Sequence, residues 1–153
     1  MRTPTLLLSL AITALASTTL YSHLTAAPTS NAATTAQPAE PTKLAIVWTS
    51  GDPDVAHRMT LMYAGAAQKN NWFSEVRLVI WGPSQRLTVA DKDIRAKIEQ
   101  LAAAGVIVEA CLACADSYGI AEDIRAIPGV EVKYMGQPLS RFLRSSDWSV
   151  LTF

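Results

Sequence analysis

From Lys43 onward, short apolar runs alternate with helix-like stretches, and this alternation limits the fold more than any other feature. Lys43 to Thr49 (KLAIVWT) reads as a buried strand by its β-branched and aromatic content. It stops at Ser50-Gly51-Asp52-Pro53, where Asp52 or Ser50 can cap a helix that holds Pro53 in its first turn. Val55, Met59, Met62 and Ala66 recur at helical spacing to about Asn70, which makes both methionines packing residues. Val76 to Trp81 is a second strand, closed by Gly82-Pro83. Ile94, Ile98 and Leu101 form one stripe on a helix from about Asp91 to Ala104, ended by Gly105. Val106 to Ala110 is the third strand, and Cys111-Leu112-Ala113-Cys114 follows it directly. A helical piece at Ala115 to Tyr118, a helix from Ile120 to Ile127, a strand from Val130 to Tyr134, a helix from Leu139 to Ser145 and a strand from Trp148 to Phe153 complete the order. Strictly alternating strands and helices predict an α/β fold, a three-layer α/β/α sandwich with a mostly parallel five-stranded sheet.

The first forty residues are made of different material. Arg2 and the free amino terminus precede an apolar run from Leu6 to Leu20, and no acidic residue appears before Glu40. Residues 1–27 therefore read as a secretory signal, with an uncleaved amino-terminal anchor as the alternative. Residues 28–42 are rich in Ala, Thr and Pro, lack large apolar side chains, and read as a disordered linker. The folding unit is then 43–153, expected in the periplasm or outside the cell and free of the membrane once the signal is removed. Thirteen basic and thirteen acidic residues give no net charge, so nothing equips the chain to neutralise nucleic-acid phosphates.

Ligands of open parallel sheets sit beyond the carboxyl ends of the strands. That rule singles out Ser50 and Gly51 after the first strand, Trp81 and Gly82 after the second, the cysteines after the third, and Gly136 after the fourth. Tyr118 joins them by following the second cysteine. Trp48 and Trp81 end neighbouring strands and either wall the crevice or join the core. None of these loops has a glycine-rich phosphate cradle, and no nucleophile elbow is present, so nucleotide binding and serine hydrolysis are set aside. No cofactor is expected. His57, the one imidazole after the linker, reads as an ordinary helix histidine, and Arg141 and Arg144 as a solvated face.

Cys111 and Cys114 carry the chemical signal. A thiol where a strand gives way to a helix meets unpaired N–H groups and the positive end of the helix dipole, which favour thiolate. One thiolate could carry a terminal sulfur, or the pair could cycle between dithiol and disulfide. A metal site lacks a nearby histidine to complete it, and the residue after Cys114 is not the histidine that haem attachment needs. The inert alternative is two buried small hydrophobes or a structural disulfide. Asp116 is placed to accept helix N–H groups, and as an anion it opposes thiolate formation.

The stretch Val108-Glu109-Ala110-Cys111-Leu112-Ala113-Cys114-Ala115-Asp116-Ser117-Tyr118-Gly119 resembles the DsrE family, as do Val47 to Asp52 upstream and Val132 to Gly136 downstream. The resemblance spans Leu44 to Phe153 and implies a five-stranded parallel α/β/α sandwich. In sulfur-relay members one cysteine before a helix carries persulfide sulfur. Spacing to Gly119 puts Cys111 at that position, and Cys114 matches the second cysteine of the YchN-like branch. The resemblance implies a sulfur carrier or sulfurtransferase with Cys111 as acceptor and Cys114 as a resolving or supporting thiol. It also implies a homo-oligomer, trimer or hexamer, and a protein that donates or accepts the sulfur. The alternatives are a thiol–disulfide protein using both cysteines and a non-catalytic oligomeric binding module.

Overall fold

A computed structural model describes residues 42–153. The expected signal segment 1–27, and the linker 28–42 except Thr42, lie outside the described residues.

Five strands form one sheet: β1 (Lys43–Trp48), β2 (Glu75–Ile80), β3 (Ile107–Cys111), β4 (Val130–Lys133) and β5 (Trp148–Thr152). Their order is β4-β3-β2-β1-β5, and every pairing is parallel. Helices α1 (Pro53–Val55) and α2 (Leu61–Lys69), joined through a π-helical turn at Ala56–Thr60, lead from β1 to β2. Helices α3 (Pro83–Ala90) and α4 (Lys92–Ala103) lead to β3, α5 (Leu112–Tyr118) and α6 (Ala121–Arg125) to β4, and α7 (Gly136–Arg144) to β5. The expected three-layer sandwich is the fold, with a sheet that is parallel throughout.

Strand alternation divides the core in two. Leu44, Ile46, Trp48, Leu78, Ile80, Val108 and Ala110 pack against Leu61, Ile94, Ile98 and Ile124 of the helices before β4. Ala45, Val47, Val79 and Cys111 point to the opposite face, where Met135 and Phe142 of the α7 region cover them. The chain therefore leaves β3 toward one face and leaves β4, its neighbour in the sheet, toward the other. Divergent exits from adjacent strands open a crevice at their carboxyl ends, the usual place for chemistry in such sheets.

Three expectations change. Met59 and Met62 are 48% and 60% exposed rather than packed. The buried stripe is Ala56, Thr60, Leu61, Ala64 and Ala67, one residue away from the stripe of larger apolar side chains. Small side chains let this helix lie close to the sheet, and the bulky methionines face outward. A further helix, α3, occupies Pro83–Ala90, where the sequence suggested none. Its buried residues are Ser84, Gln85 and Thr88, so no apolar stripe announces it. Asp116 lies in the second turn of α5, because that helix starts at Leu112 and not at Ala115, so it caps nothing.

Candidate functional site

Cys111 is at once the last residue of β3 and the N-cap of α5, with extended backbone angles (φ −74°, ψ 110°). Its side chain is buried, 3% exposed, among Val79, Val47 and Met135. Cys114, one turn on, is half-buried, and both thiols are free. Gly119 ends α5 in the left-handed region (φ 68°), a conformation that explains a glycine eight residues after the first cysteine.

The cysteine segment is locked to β2 through α3. The Gln85 amide donates from Nε2 to the Ile80 carbonyl (3.0 Å) and to the Cys111 carbonyl (2.9 Å). One fully buried side chain thus ties the ends of two adjacent strands together. The Ser84 hydroxyl donates to the Trp48 carbonyl (2.7 Å) and accepts from the Trp81 amide (3.1 Å), which fixes the loop after β2 against β1. Gly82 in that loop takes φ 65°, and its amide addresses the Cys114 sulfur. Burial pushes the Cys114 thiol above its ordinary range, and the neighbouring Cys111 thiol adds to this. The Gly82 amide pulls the other way without prevailing. For Cys114 this reverses the expected activation: the resting dithiol holds it protonated.

The candidate residues divide among several contacts. Trp81 and Cys114 pack against the cluster that contains Cys111. Trp48 is fully buried core. Gly51 rests on Pro83 at the start of α3, and Ser50 accepts from the Asp52 amide (3.1 Å). Asp52 caps α1, as its sequence position suggested. Tyr118 lies under the Arg86 guanidinium at 4.9 Å, joining α5 to α3. Gly136 opens α7, directly after Met135, which packs with Cys111. His57 is exposed on its helix, 3.9 Å from the Asp91 carboxylate and away from the cysteines. No group of three or more His, Cys, Asp or Glu among the described residues is placed to hold a metal ion. No helix among them is long and apolar enough to cross a membrane.

A charged cluster beside Cys111 was not anticipated. Glu109, fully buried two residues before Cys111 and on the same sheet face, pairs with Arg77 (2.8 Å) and Lys133 (2.6 Å). Glu131 also pairs with Lys133 (2.8 Å). Burial works against the Lys133 ammonium, but hydrogen bonds to Glu109 and Glu131 outweigh it and hold its pKa above the ordinary value. Register places Lys133 directly opposite Cys111 on the neighbouring strand. An acidic residue inside an apolar run was the available signal. Its partners come from β2 and β4, and only the sheet register reveals them.

The model of the DsrE/DsrF-like family matches residues 42–153. The chain belongs to the DsrE/DsrF-like family. A conserved protein of unknown function from Bacteroides thetaiotaomicron shares 30% identity and a TM-score of 0.69, over 73% of this chain and 95% of that one. The ychN protein from E. coli has the same fold at 22% identity and a TM-score of 0.56, over 74% and 99% of the two chains. No curated protein sequence matches the chain. Membership of the DsrE/DsrF-like family fits the sulfur-relay theme and places the cysteine segment within the matched region.

Proposed function

We propose that this DsrE-like protein is an exported sulfur carrier that holds sulfane sulfur as a persulfide on Cys111. The observation that carries the reading is the position of Cys111. It stands at the carboxyl end of β3, where the β3 and β4 exits diverge, with a second free thiol one helical turn away. In loading, the Cys111 thiolate attacks the outer sulfur of a donor persulfide. The donor S–S bond breaks, a new S–S bond forms on Cys111, and the donor leaves as its thiolate. Delivery to an acceptor thiol is the reverse displacement, and neither step changes the total oxidation state. Burial of Cys111 shelters the terminal sulfur from solvent thiols. A homo-oligomer, trimer or hexamer, and a separate donor or acceptor protein belong to the same proposal.

The test is incubation of the reduced protein with a persulfide donor, followed by intact mass. Wild type and Cys114→Ser gain one sulfur atom, and Cys111→Ser gains none. Unmodified wild type, or an equal gain in Cys111→Ser, overturns the reading.

The pairing of two free thiols favours one second reading, a thiol–disulfide cycle. There the Cys114 thiolate attacks the inner sulfur of a Cys111 mixed disulfide, which leaves a Cys111–Cys114 disulfide and an expelled thiolate. A pair that stays reduced across glutathione buffers excludes it.

A further inference from the structure

We propose that Lys133 is the counter-charge for the sulfur anion on Cys111, and that Glu109 holds this lysine in reserve when no anion is present. The proposal rests on the carrier reading of Cys111 and assigns its electrostatic partner. Lys133 and Cys111 are paired in register on adjacent parallel strands, which lie about 4.8 Å apart. Alternation puts both side chains on one face of the sheet, the face covered by α7. In the resting dithiol the ammonium sits on the Glu109 carboxylate at 2.6 Å. Glu109 lies two residues back along β3, or roughly 7 Å at the usual rise per strand residue. Rotation about the four-carbon stem of Lys133 spans that separation.

The two states differ in which anion Lys133 serves. At rest Glu109 serves two cations, Arg77 and Lys133, and Glu131 also holds Lys133. When Cys111 bears a thiolate or a perthiolate, Lys133 moves to the sulfur and Arg77 remains on Glu109. Arg77 cannot take the other role. It is paired with Glu75, lies 5.7 Å from the Phe142 ring and 5.5 Å from the Trp148 ring, and its register partner is Ile107, at the far end of β3. The second carboxylate oxygen of Glu109 is buried and without a partner. Glu109 is therefore not saturated by its present contacts, as a residue kept solely to complete a structural ion pair would be. The charged or titratable groups around the Cys111 thiol are Lys133 and Glu131 from β4, Glu109 from β3, Arg77 from β2 and Cys114 from α5, while α7 meets it through the apolar Leu139 and Phe142.

The test uses the full chain carrying Cys114→Ser, in which Cys111 is the one remaining thiol. The rate of modification by a small methanethiosulfonate is followed against pH. Removing a cation that faces a thiolate moves such a profile by about one pH unit or more, or roughly tenfold in rate near neutrality. Lys133→Met moves the profile to higher pH and slows the reaction to that extent. Lys133→Arg keeps the charge and restores most of the rate. Glu109→Gln releases the lysine and moves the profile to lower pH. A purely structural role for the cluster makes Lys133→Met and Glu109→Gln change in the same direction. That result, or coincident profiles for parent, Lys133→Met and Lys133→Arg, overturns the proposal. Should Glu109→Gln fail to fold, the two Lys133 variants decide it, since that side chain is one-third exposed. Sulfur loading of the parent, measured separately by mass, reports on the carrier reading alone. A parent that loads while the profiles coincide loses only the lysine, and a parent that fails to load while the profiles shift loses only the carrier.

Discussion

Gln85 shows how much a single buried amide contributes to this site. It closes the gap between the ends of β2 and β3 by donating to two carbonyls, one of them that of Cys111. Gln85→Ala removes both of these buried hydrogen bonds, at a cost of about 1–2 kcal/mol. Chemical denaturation measures that loss, and it is accompanied by faster modification of Cys111 as its backbone loosens. A change below about 0.5 kcal/mol, ordinary for an uninvolved surface residue, contradicts the role given to Gln85. The two cysteines were legible in the sequence because their spacing and their place after an apolar run are local facts. Gln85 was not, because its two acceptors lie five and twenty-six residues away. Glu109 was hidden in the same way: its cations come from strands thirty-two residues before it and twenty-four after it, and nothing local names them.

At the scale of elements, the strands were readable and the helix faces were not uniformly so. Continuous β-branched runs mark β1, β2 and β3 because both faces of a parallel sheet are buried. Helix α4 announces itself by Ile94, Ile98 and Leu101, all buried as the spacing requires. Helix α3 buries Ser84, Gln85 and Thr88, so its inner face is polar and hydrogen-bonded, and apolar periodicity cannot detect it. The helix before β2 misleads for a related reason, since Ala and Thr face the sheet while Met59 and Met62 face water. Asp91 separates α3 from α4 and caps the latter by accepting from the Asp93 and Ile94 amides. The bond from Ile94 is the largest influence lowering its pKa; burial opposes it, and the Asp93 amide and His57 reinforce it. A lowered folded-state pKa means that the ionised cap supports the fold above the ordinary carboxylate range, and that this support fades as pH falls through the folded value. Asp91→Ala thus lowers the thermal midpoint at neutral pH, and the gap to wild type narrows in acid. A gap that widens in acid contradicts the assignment.

For the whole molecule, the sheet order decides where chemistry is placed. Four strands are laid down in one direction, β1 to β4, and α7 then returns the chain across the other face to set β5 beside β1. That single reversal makes the β3 and β4 exits diverge, and it places Cys111, Lys133 and Met135 together at the carboxyl end of the sheet. Alternation of elements implied the sandwich, but not which pair of strands would flank the divergence, because strand order is a property of the assembled sheet. The amino-terminal segment adds a location to the proposal: we propose that its cationic start and apolar run act as an export signal. Fractionation of bacteria expressing the full chain finds it outside the cytoplasm. Recovery in the cytoplasmic fraction alone contradicts export while leaving the sulfur chemistry intact. The central claim is that one particular sulfur atom, that of Cys111, carries the cargo. The direct measurement is to load reduced wild-type protein with a persulfide donor, trap it by alkylation, and map the peptide containing both cysteines by tandem mass spectrometry. The account predicts one added sulfur on Cys111 with Cys114 carrying only the alkyl label. An added sulfur confined to Cys114, or none on either cysteine, contradicts it.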